Sequence, residues 1–244
     1  MSQLLERLAW DSEFFSLPIG RIVPSQLDRE SLMSLLAEAR AEGFRCLYFE
    51  VNPNDPALVA LVERHHFHLV DVRVVLEHPF DNRPGPTPRY PISPDLVINL
   101  PDHDDLPHLQ DISAQIGQTS RFAFDKNFVS QADRLYHVWI KNACQGFADI
   151  VLIARWHETG EPIGLISCTL RDGMGHIQLA GVHSEHRQRS VGTGLVQAAL
   201  DWTKAQGAHG MQVVTQARNV PAQRLYQQMG FFTRVVTLYY HKWL

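Results

Sequence analysis

Residues 182–202 read VHSEHRQRSVGTGLVQAALDW, and the fold turns on this stretch. An apolar strand ends near Val182. A loop follows that is rich in small residues: Ser190, Gly192, Thr193 and Gly194. Leu195, Val196, Ala199 and Leu200 then share one face at helical spacing. Where a strand passes through such a loop into a helix, several backbone N–H groups point outward at the positive end of the helix dipole. That arrangement suits a phosphate or pyrophosphate. Arg187 and Arg189 add positive charge beside it. A helix start with a solvated basic loop would look the same, and this stretch alone leaves both readings open.

Upstream, the strand signal His176–Val182 is the third of a meander, after Ile150–Ala154 and Ile163–Leu170, with turns at His157–Pro162 and Asp172–Gly175. Before these come a strand signal at Leu96–Leu100 and helices over Asp105–Gln115 and Gln131–Ala143. Downstream lie a short buried strand, Met211–Thr215, a helix from Asn219 and a final strand or strand pair over Phe231–Tyr240. The segment Pro79–Pro94, PFDNRPGPTPRYPISP, holds six prolines in sixteen residues. Proline cannot donate to a ladder and disfavours helix in the residue before it, so this reads as a linker over 79–94. It divides a unit of residues 1–78 from one of residues 95–244. The first has helix signals at Leu32–Ala41 and Ala57–His66, and strands at Cys46–Val51 and Leu69–Leu76. It reads as a small α/β unit.

The 244 residues are enough for one to two domains. With 22 Lys and Arg against 26 Asp and Glu, the net charge is −4, which lacks the basic footprint of a nucleic-acid binder. No apolar run reaches the roughly 18 residues needed to span a bilayer. The amino terminus, MSQLLERLAW, mixes acid and base and is no signal peptide. Cys46, Cys144 and Cys168 are odd in number, far apart and form no CxxC, so neither a disulfide framework nor a cysteine metal site is expected. A reducing cytoplasm is the expected compartment. His65-His66-x-His68 and His103-Asp104-Asp105 are local clusters, but no HExxH or Cys/His spacing accompanies them, and no metal is expected. His183 and His186 lie beside the loop as solvated residues. Neither a GxSxG elbow nor a Walker loop occurs.

A second motif stands in NVPAQRLYQQMGF, residues 219–231. Asn219 is a favoured N-cap and Pro221 suits a first turn. Ala222 and Tyr226 are four apart and share a helix face. Gly230 can end the helix in the left-handed conformation. A phenol is protonated at neutral pH and can donate a proton to a leaving thiolate. Alone, Tyr226 would equally serve as a core aromatic.

Together the two stretches resemble the GNAT superfamily of N-acetyltransferases. The first is similar to its coenzyme A loop, Arg-Gly-x-Gly-x-Gly, read as Arg187, Gln188, Arg189, Ser190, Val191 and Gly192. Gln188 and Ser190 then replace two glycines, and neither takes positive φ as cheaply as Gly. A second register, Arg189-Ser-Val-Gly192-Thr-Gly194, fits a shorter Arg-x-x-Gly-x-Gly pattern. Either way the pyrophosphate loop is Gln188–Thr193. The second stretch resembles the family's Asn-x-x-Ala-x-x-x-Tyr-x-x-x-Gly-Phe motif, with Asn219 and Ala222 on the cofactor side and Tyr226 as general acid.

The resemblance implies a mixed, curved sheet flanked by helices over residues 95–244, with acetyl-CoA as co-substrate. Ala180, Gly181 and Val182 would pair with the pantetheine arm as if it were another strand. One of their N–H groups would polarise the thioester carbonyl. The acyl group would pass by direct amine attack, and a homodimer through the carboxy-terminal strands is the association such folds adopt. Tyr239, Tyr240 and Trp243 are core or interface.

Leu8–Phe15, Ser120-Arg121-Phe122 and Tyr136-xx-Trp139-Ile140-xx-Ala143 further resemble the nucleotide-amino-sugar acetyltransferases of enterobacterial common antigen synthesis. Those enzymes acetylate the 4-amino group of dTDP-4-amino-4,6-dideoxy-D-galactose. An amine attacks only as the free base, so a proton acceptor is needed. Asp71 aligns with a carboxylate there and is the candidate base. A solvated strand carboxylate is the alternative. Arg121 could fork onto a nucleotide diphosphate, or form a surface ion pair. Other acceptors within the family are a peptide amino terminus, a polyamine or an antibiotic. A non-catalytic acyl-CoA-binding module is the reading outside enzymes.

Overall fold

The computed structural model describes residues 4–23, 27–81 and 92–244. Most of the proline-rich segment, residues 82–91, lies outside them. The chain forms two compact units. One comprises Met1–Arg73 and Val236–Leu244, the other Val74–Val235.

In the first unit the elements are β1 (Leu5–Arg7), α1 (Ala9–Phe15), β2 (Ile19–Ile22), α2 (Arg29–Ala41), β3 (Cys46–Val51), α3 (Pro56–Arg64) and the start of β4 (His68–Pro79). β1 runs antiparallel to β2, and β2 runs parallel to β3. Two caps set the helices. The Asp28 carboxylate accepts from the Ser31 N–H at 2.8 Å, and Asp55 accepts from Leu58 N–H at 2.9 Å with Pro56 in the first turn. The core joins Leu32, Leu35, Leu36 and Ala39 of α2 to Leu47, Phe49 and Val51 of β3 and to Val62 of α3.

The second unit holds the end of β4, then β5 (Leu96–Asn99), α4 (Leu106–Gly117), α5 (Arg121–Phe124), α6 (Ala132–Asn142), β6 (Ile150–Trp156), β7 (Pro162–Arg171), β8 (Met174–Val182), α7 (Val191–Ala205), β9 (Gly210–Gln216), α8 (Val220–Gln228) and the first residues of β10 (Phe232–Trp243). Its strand order is β4-β9-β8-β7-β6-β5. β5 to β8 form an antiparallel meander, and α7 connects β8 to its parallel neighbour β9. Leu195, Val196, Ala199 and Leu200 of α7 are all buried against this sheet. On the opposite side α4 comes so close to β8 that a Cβ on Gly181 would lie 2.5 Å from Ile116. The Arg155 guanidinium on β6 forks onto Asp105, at 3.0 and 2.5 Å, and ties the start of α4 to the meander.

Two differences from the sequence reading have local causes. Val236–Leu244 group with the first unit rather than following residue 95 onward, because β10 pairs along β3 from Leu238↔Val51 to Trp243↔Cys46. Tyr239 and Tyr240 are accordingly buried, and Tyr240 joins the α2 core. The elements β1, α1 and β2 give no sequence signal. α1 has Leu8 at its N-cap with no side-chain cap bond, and it buries the adjacent Phe14 and Phe15 rather than a spaced stripe. No helix among the described residues is long and apolar enough to cross a membrane.

Candidate functional site

The second unit contains an opening in its sheet. β8 and β9 pair only from Met174↔Gly210 to Ile177↔Val213. Beyond Ile177 β8 continues to Val182 paired with β7 alone: Leu179↔Ser167, Ala180↔Ile166, Gly181↔Leu165, Val182↔Gly164. The β7–β8 register shifts between Ser167 and Cys168, which leaves Gln178 as a bulged residue. Its side-chain amide donates to Thr169 Oγ1 at 3.0 Å. A bulge bends its strand, and here the bend begins where β8 leaves β9. Ala180, Gly181 and Val182 thus lie on a strand edge that no other described strand pairs with. Such an edge can take an extended ligand through main-chain hydrogen bonds.

The candidate phosphate loop stands at the carboxyl end of that strand. A 3₁₀ turn, Ser184–His186, leads to Arg187, and α7 begins at Val191. Gln188 has φ 63° and Ser190 has φ 60°, both left-handed. These are the two positions at which the first register has Gln and Ser in place of glycine. Gly192 and Gly194, glycines of the second register, do not take positive φ. The first helical bond of α7 runs from Gly194 N–H to Ser190 C=O at 3.0 Å, so the N–H groups of Val191, Gly192 and Thr193 lack intrahelical partners. Ser190 occupies the N-cap without a side-chain cap bond. Arg187 is held back: its Nε donates to Val182 C=O at 3.1 Å and its guanidinium meets Gln115 Oε1 at 3.5 Å. Arg189 is exposed.

His183, Glu185 and His186 come within 4.8 Å of one another by their ligand atoms. They are better partnered than solvated residues. His183 Nε2 lies 3.3 Å from Asp111, and His186 Nδ1 accepts the Trp156 indole N–H at 3.1 Å. With Nδ1 accepting, a neutral His186 carries its proton on Nε2. As seated it is therefore a donor on the outer ring nitrogen, and a metal would have to displace Trp156 from the other.

Tyr226 sits on α8. Asn219 caps this helix by accepting the Ala222 N–H at 3.3 Å. The Gln223 amide donates to the carbonyls of Gln216 and Ala217, at 3.1 and 2.8 Å, and fixes the turn from β9. Gly230, φ 89°, ends the helix, with Phe231 N–H donating to Tyr226 C=O at 3.0 Å. The Tyr226 ring is buried and packs on Phe231, centroids 5.5 Å apart. Burial pushes its phenol well above the usual range, and the Cys168 thiol on β7 adds to the shift. Cys168 pairs with Ile177, the last residue of β8 to pair with β9. The phenol therefore lies at the level where the sheet opens, and it stays protonated at any ordinary pH.

Asp71 falls in the first unit, on β4. It is buried, which departs from the solvated alternative, and its Oδ1 accepts the Val72 N–H at 2.9 Å. Arg121 opens α5 in the second unit, its guanidinium 4.2 Å above the Phe122 ring. A second guanidinium, Arg218, lies 3.8 Å above the exposed Phe124 ring. Nothing in the sequence marks that pair, because ninety-four positions separate its members.

Residues 117–231 match the model of the acetyltransferase (GNAT) family. The spore coat polysaccharide biosynthesis protein SpsD of Bacillus subtilis is 24% identical over 151 residues, 62% of this chain and 52% of that protein, so the match spans about half of that relative's length. The dTDP-fucosamine acetyltransferase of Escherichia coli is 26% identical over 226 residues, 93% of this chain and 92% of that one. Among solved structures, a GCN5-related N-acetyltransferase from Sphaerobacter thermophilus superposes with a TM-score of 0.67 at 15% identity, covering 98% of this chain and 76% of its own. One from Kribbella flavida gives 0.57 at 13%, covering 92% and 81%. These two likenesses speak to the fold.

Proposed function

We propose that the chain, whose residues 117–231 match the GNAT acetyltransferase family, is an acyl-CoA-dependent N-acetyltransferase that moves the acetyl group of acetyl-CoA onto the 4-amino group of dTDP-4-amino-4,6-dideoxy-D-galactose. The observation that carries acetyl transfer is the opening between β8 and β9, with the left-handed loop at its mouth and Tyr226 at its root. What supports the acceptor is that similarity to the dTDP-fucosamine acetyltransferase runs along 93% of the chain.

The residues fit the co-substrate. Val191, Gly192 and Thr193 offer three N–H groups and the dipole of a 15-residue helix to the pyrophosphate, with Arg187 and Arg189 adding charge. The edge at Ala180–Val182 pairs with the pantetheine amides, and one of its N–H groups polarises the thioester carbonyl. Asn219 and Ala222 hold the start of α8 against the same ligand. Arg121 forks onto the acceptor diphosphate. Asp71 accepts the proton that frees the amine. The amine nitrogen then bonds to the carbonyl carbon, the C–S bond breaks, and the nitrogen sheds its second proton to solvent as the amide forms. Tyr226 donates to the departing sulfur. Burial makes its phenol a weak acid, so this begins as a hydrogen bond to the developing thiolate. The phenol regains its proton from solvent, and Asp71 releases the amine proton there.

The test is thiol release from acetyl-CoA by the purified chain. The acceptors are the nucleotide-linked sugar, the free amino sugar, spermidine and a short peptide. Turnover confined to the nucleotide-linked sugar is expected. Tyr226→Phe should lower kcat about 10²-fold with little change in KM for acetyl-CoA, the usual scale for losing a general acid. Faster turnover of spermidine or peptide overturns the acceptor. Tight acetyl-CoA binding with no turnover of any acceptor, and no effect of Tyr226→Phe, would leave an acyl-CoA-binding module.

A further inference from the structure

Gln115 lies on α4, one residue before the Ile116 that crowds Gly181 of β8. Its side chain reaches the turn that follows β8. Gln115 Oε1 accepts the Ser184 N–H at 3.0 Å and meets the Arg187 guanidinium at 3.5 Å. On the other side its amide NH2 donates to Asp111 Oδ2, one helical turn earlier, at 3.4 Å. These three partners allow one orientation of the amide. Turned over, the NH2 would face two donors and the oxygen a carboxylate. The same Asp111 oxygen lies 3.3 Å from His183 Nε2, while His183 Nδ1 accepts the Glu185 N–H at 3.5 Å. A neutral His183 with its proton on Nε2 satisfies both contacts. In this circuit each named donor faces an acceptor, and two residues of α4 hold three residues of the chain after β8.

The circuit acts on the charge beside the candidate pyrophosphate site. Arg187 Nε also donates to the carbonyl of Val182, the last residue of β8, at 3.1 Å. A guanidinium is planar, and its two contacts with the fold, through Nε and Nη2, fix that plane. An arginine that a ligand must immobilise loses rotamer freedom on binding, which costs roughly two- to tenfold in affinity. Here Arg187 is ordered by folding, before any ligand arrives. The Ser184 contact does the same for the backbone. It holds the 3₁₀ turn Ser184–His186 from α4, and the Trp156 indole N–H holds the same turn from β6 by donating to His186 Nδ1 at 3.1 Å. Gln188, the first of the two left-handed residues, follows directly on Arg187. The loop therefore starts from a turn gripped on both sides.

We propose that Gln115 is the positioning residue of the pyrophosphate loop, setting Arg187 and the Ser184 turn in the orientation that receives the phosphates of coenzyme A. This rests on the acetyl-CoA reading above and adds to it a residue outside the loop. Gln115 acts through Arg187 and Ser184, and it takes no part in the proton transfers.

The test uses the full chain as wild type, Gln115→Leu, Gln115→Ala, Arg187→Ala and the double variant Gln115→Leu, Arg187→Ala, with thermal melts to confirm folding. Leu keeps the length of the side chain and removes its amide. Ala repeats the loss should Leu disturb α4. Coenzyme A is titrated calorimetrically. Pantetheine, which keeps the arm and lacks the pyrophosphate, is measured by displacement of bound coenzyme A. Neither titration needs the acceptor, so the result stands apart from the sugar assignment. Gln115→Leu and Gln115→Ala should weaken coenzyme A about fivefold or more, and leave pantetheine within about twofold of wild type. A general loss of structure would weaken both ligands. Arg187→Ala should weaken coenzyme A about tenfold or more. The double variant should fall short of the product of its two single effects, because part of what Gln115 does passes through Arg187. The proposal is overturned if the Gln115 variants bind coenzyme A as wild type does, if coenzyme A and pantetheine weaken alike, or if the two single effects multiply in full. Wild-type protein that binds no coenzyme A sinks the acetyl-CoA reading itself, and this proposal with it.

Discussion

Gln188 and Ser190 hold left-handed backbone angles that an L side chain adopts at a cost of about 1–2 kcal/mol each. Glycine relieves that strain and gives back about 0.5–1 kcal/mol in unfolded-chain entropy. Each glycine substitution should then stabilise the fold by up to about 1 kcal/mol. For a chain of this size the double variant Gln188→Gly, Ser190→Gly should melt higher by up to about 4–8 °C, as differential scanning calorimetry would record. An unchanged or lower melting temperature would mean that the two side chains make stabilising contacts offsetting the strain. The loop was legible from the sequence because the apolar pair Leu195–Val196 fixes the register of α7. Its backbone angles were not, because Gln and Ser give no sign of positive φ. Asp71 was legible as a carboxylate in a strand, but whether that strand buries it depends on neighbours distant in sequence.

Among the elements, α8 shows how far local signals reach. Asn219, Pro221 and Gly230 mark a cap, a first turn and a stop, and the helix runs from Val220 to Gln228 between them. Asn219→Ala should cost about 1 kcal/mol by removing the bond to Ala222 N–H. A cap lost from the helix that carries Tyr226 should also lower kcat with the best acceptor. Chemical denaturation and initial rates check the two effects, and an unchanged denaturation midpoint would remove the cap from the argument. β3 was read at its observed limits, Cys46–Val51, because a short apolar run bounded by polar turns is the plainest strand signal. The gap between β8 and β9 could not be read. HIQLAGV is uniform as a strand pattern, and the bulge at Gln178 arises only from its pairing with β7. Nor could α5, whose four residues are too few to show a period.

At the scale of the molecule, each unit buries weak acids whose neutral form the fold protects. In the second unit burial pushes the Cys168 thiol from 9.0 up to about 12, and Tyr226 higher still. In the first, burial and the bond to Glu63 push Tyr240 from 10.0 up to about 12. Below pH 9 these groups are protonated whether the chain is folded or not, and their contribution to stability is complete. Above pH 9 the unfolded chain releases the Cys168 proton while the folded chain keeps it, so unfolding becomes easier. Tyr240 and Tyr226 add the same effect above pH 10. Urea midpoints measured from pH 8.5 to 11 should therefore fall, most steeply beyond 10, and Cys168→Ala should flatten the portion between 9 and 10. A midpoint that stays level to pH 11 would contradict the burial of these groups. The proline-rich segment 79–94 suggested a boundary, but the two units divide between Arg73 and Val74, inside β4, where the composition does not change. That the chain returns to its first unit depends on the pairing of β10 with β3, which no local pattern announces.

That return has a consequence in time. β3 leaves the ribosome paired on one side by β2, and its other partner, β10, is made only after the second unit. At about 5–20 residues per second the intervening chain takes on the order of ten seconds or more to synthesise. For that interval an apolar strand presents a bare row of main-chain donors and acceptors, open to pairing with another nascent chain. The second unit, whose residues are complete at Val235, can fold while the first still waits for its closing strand.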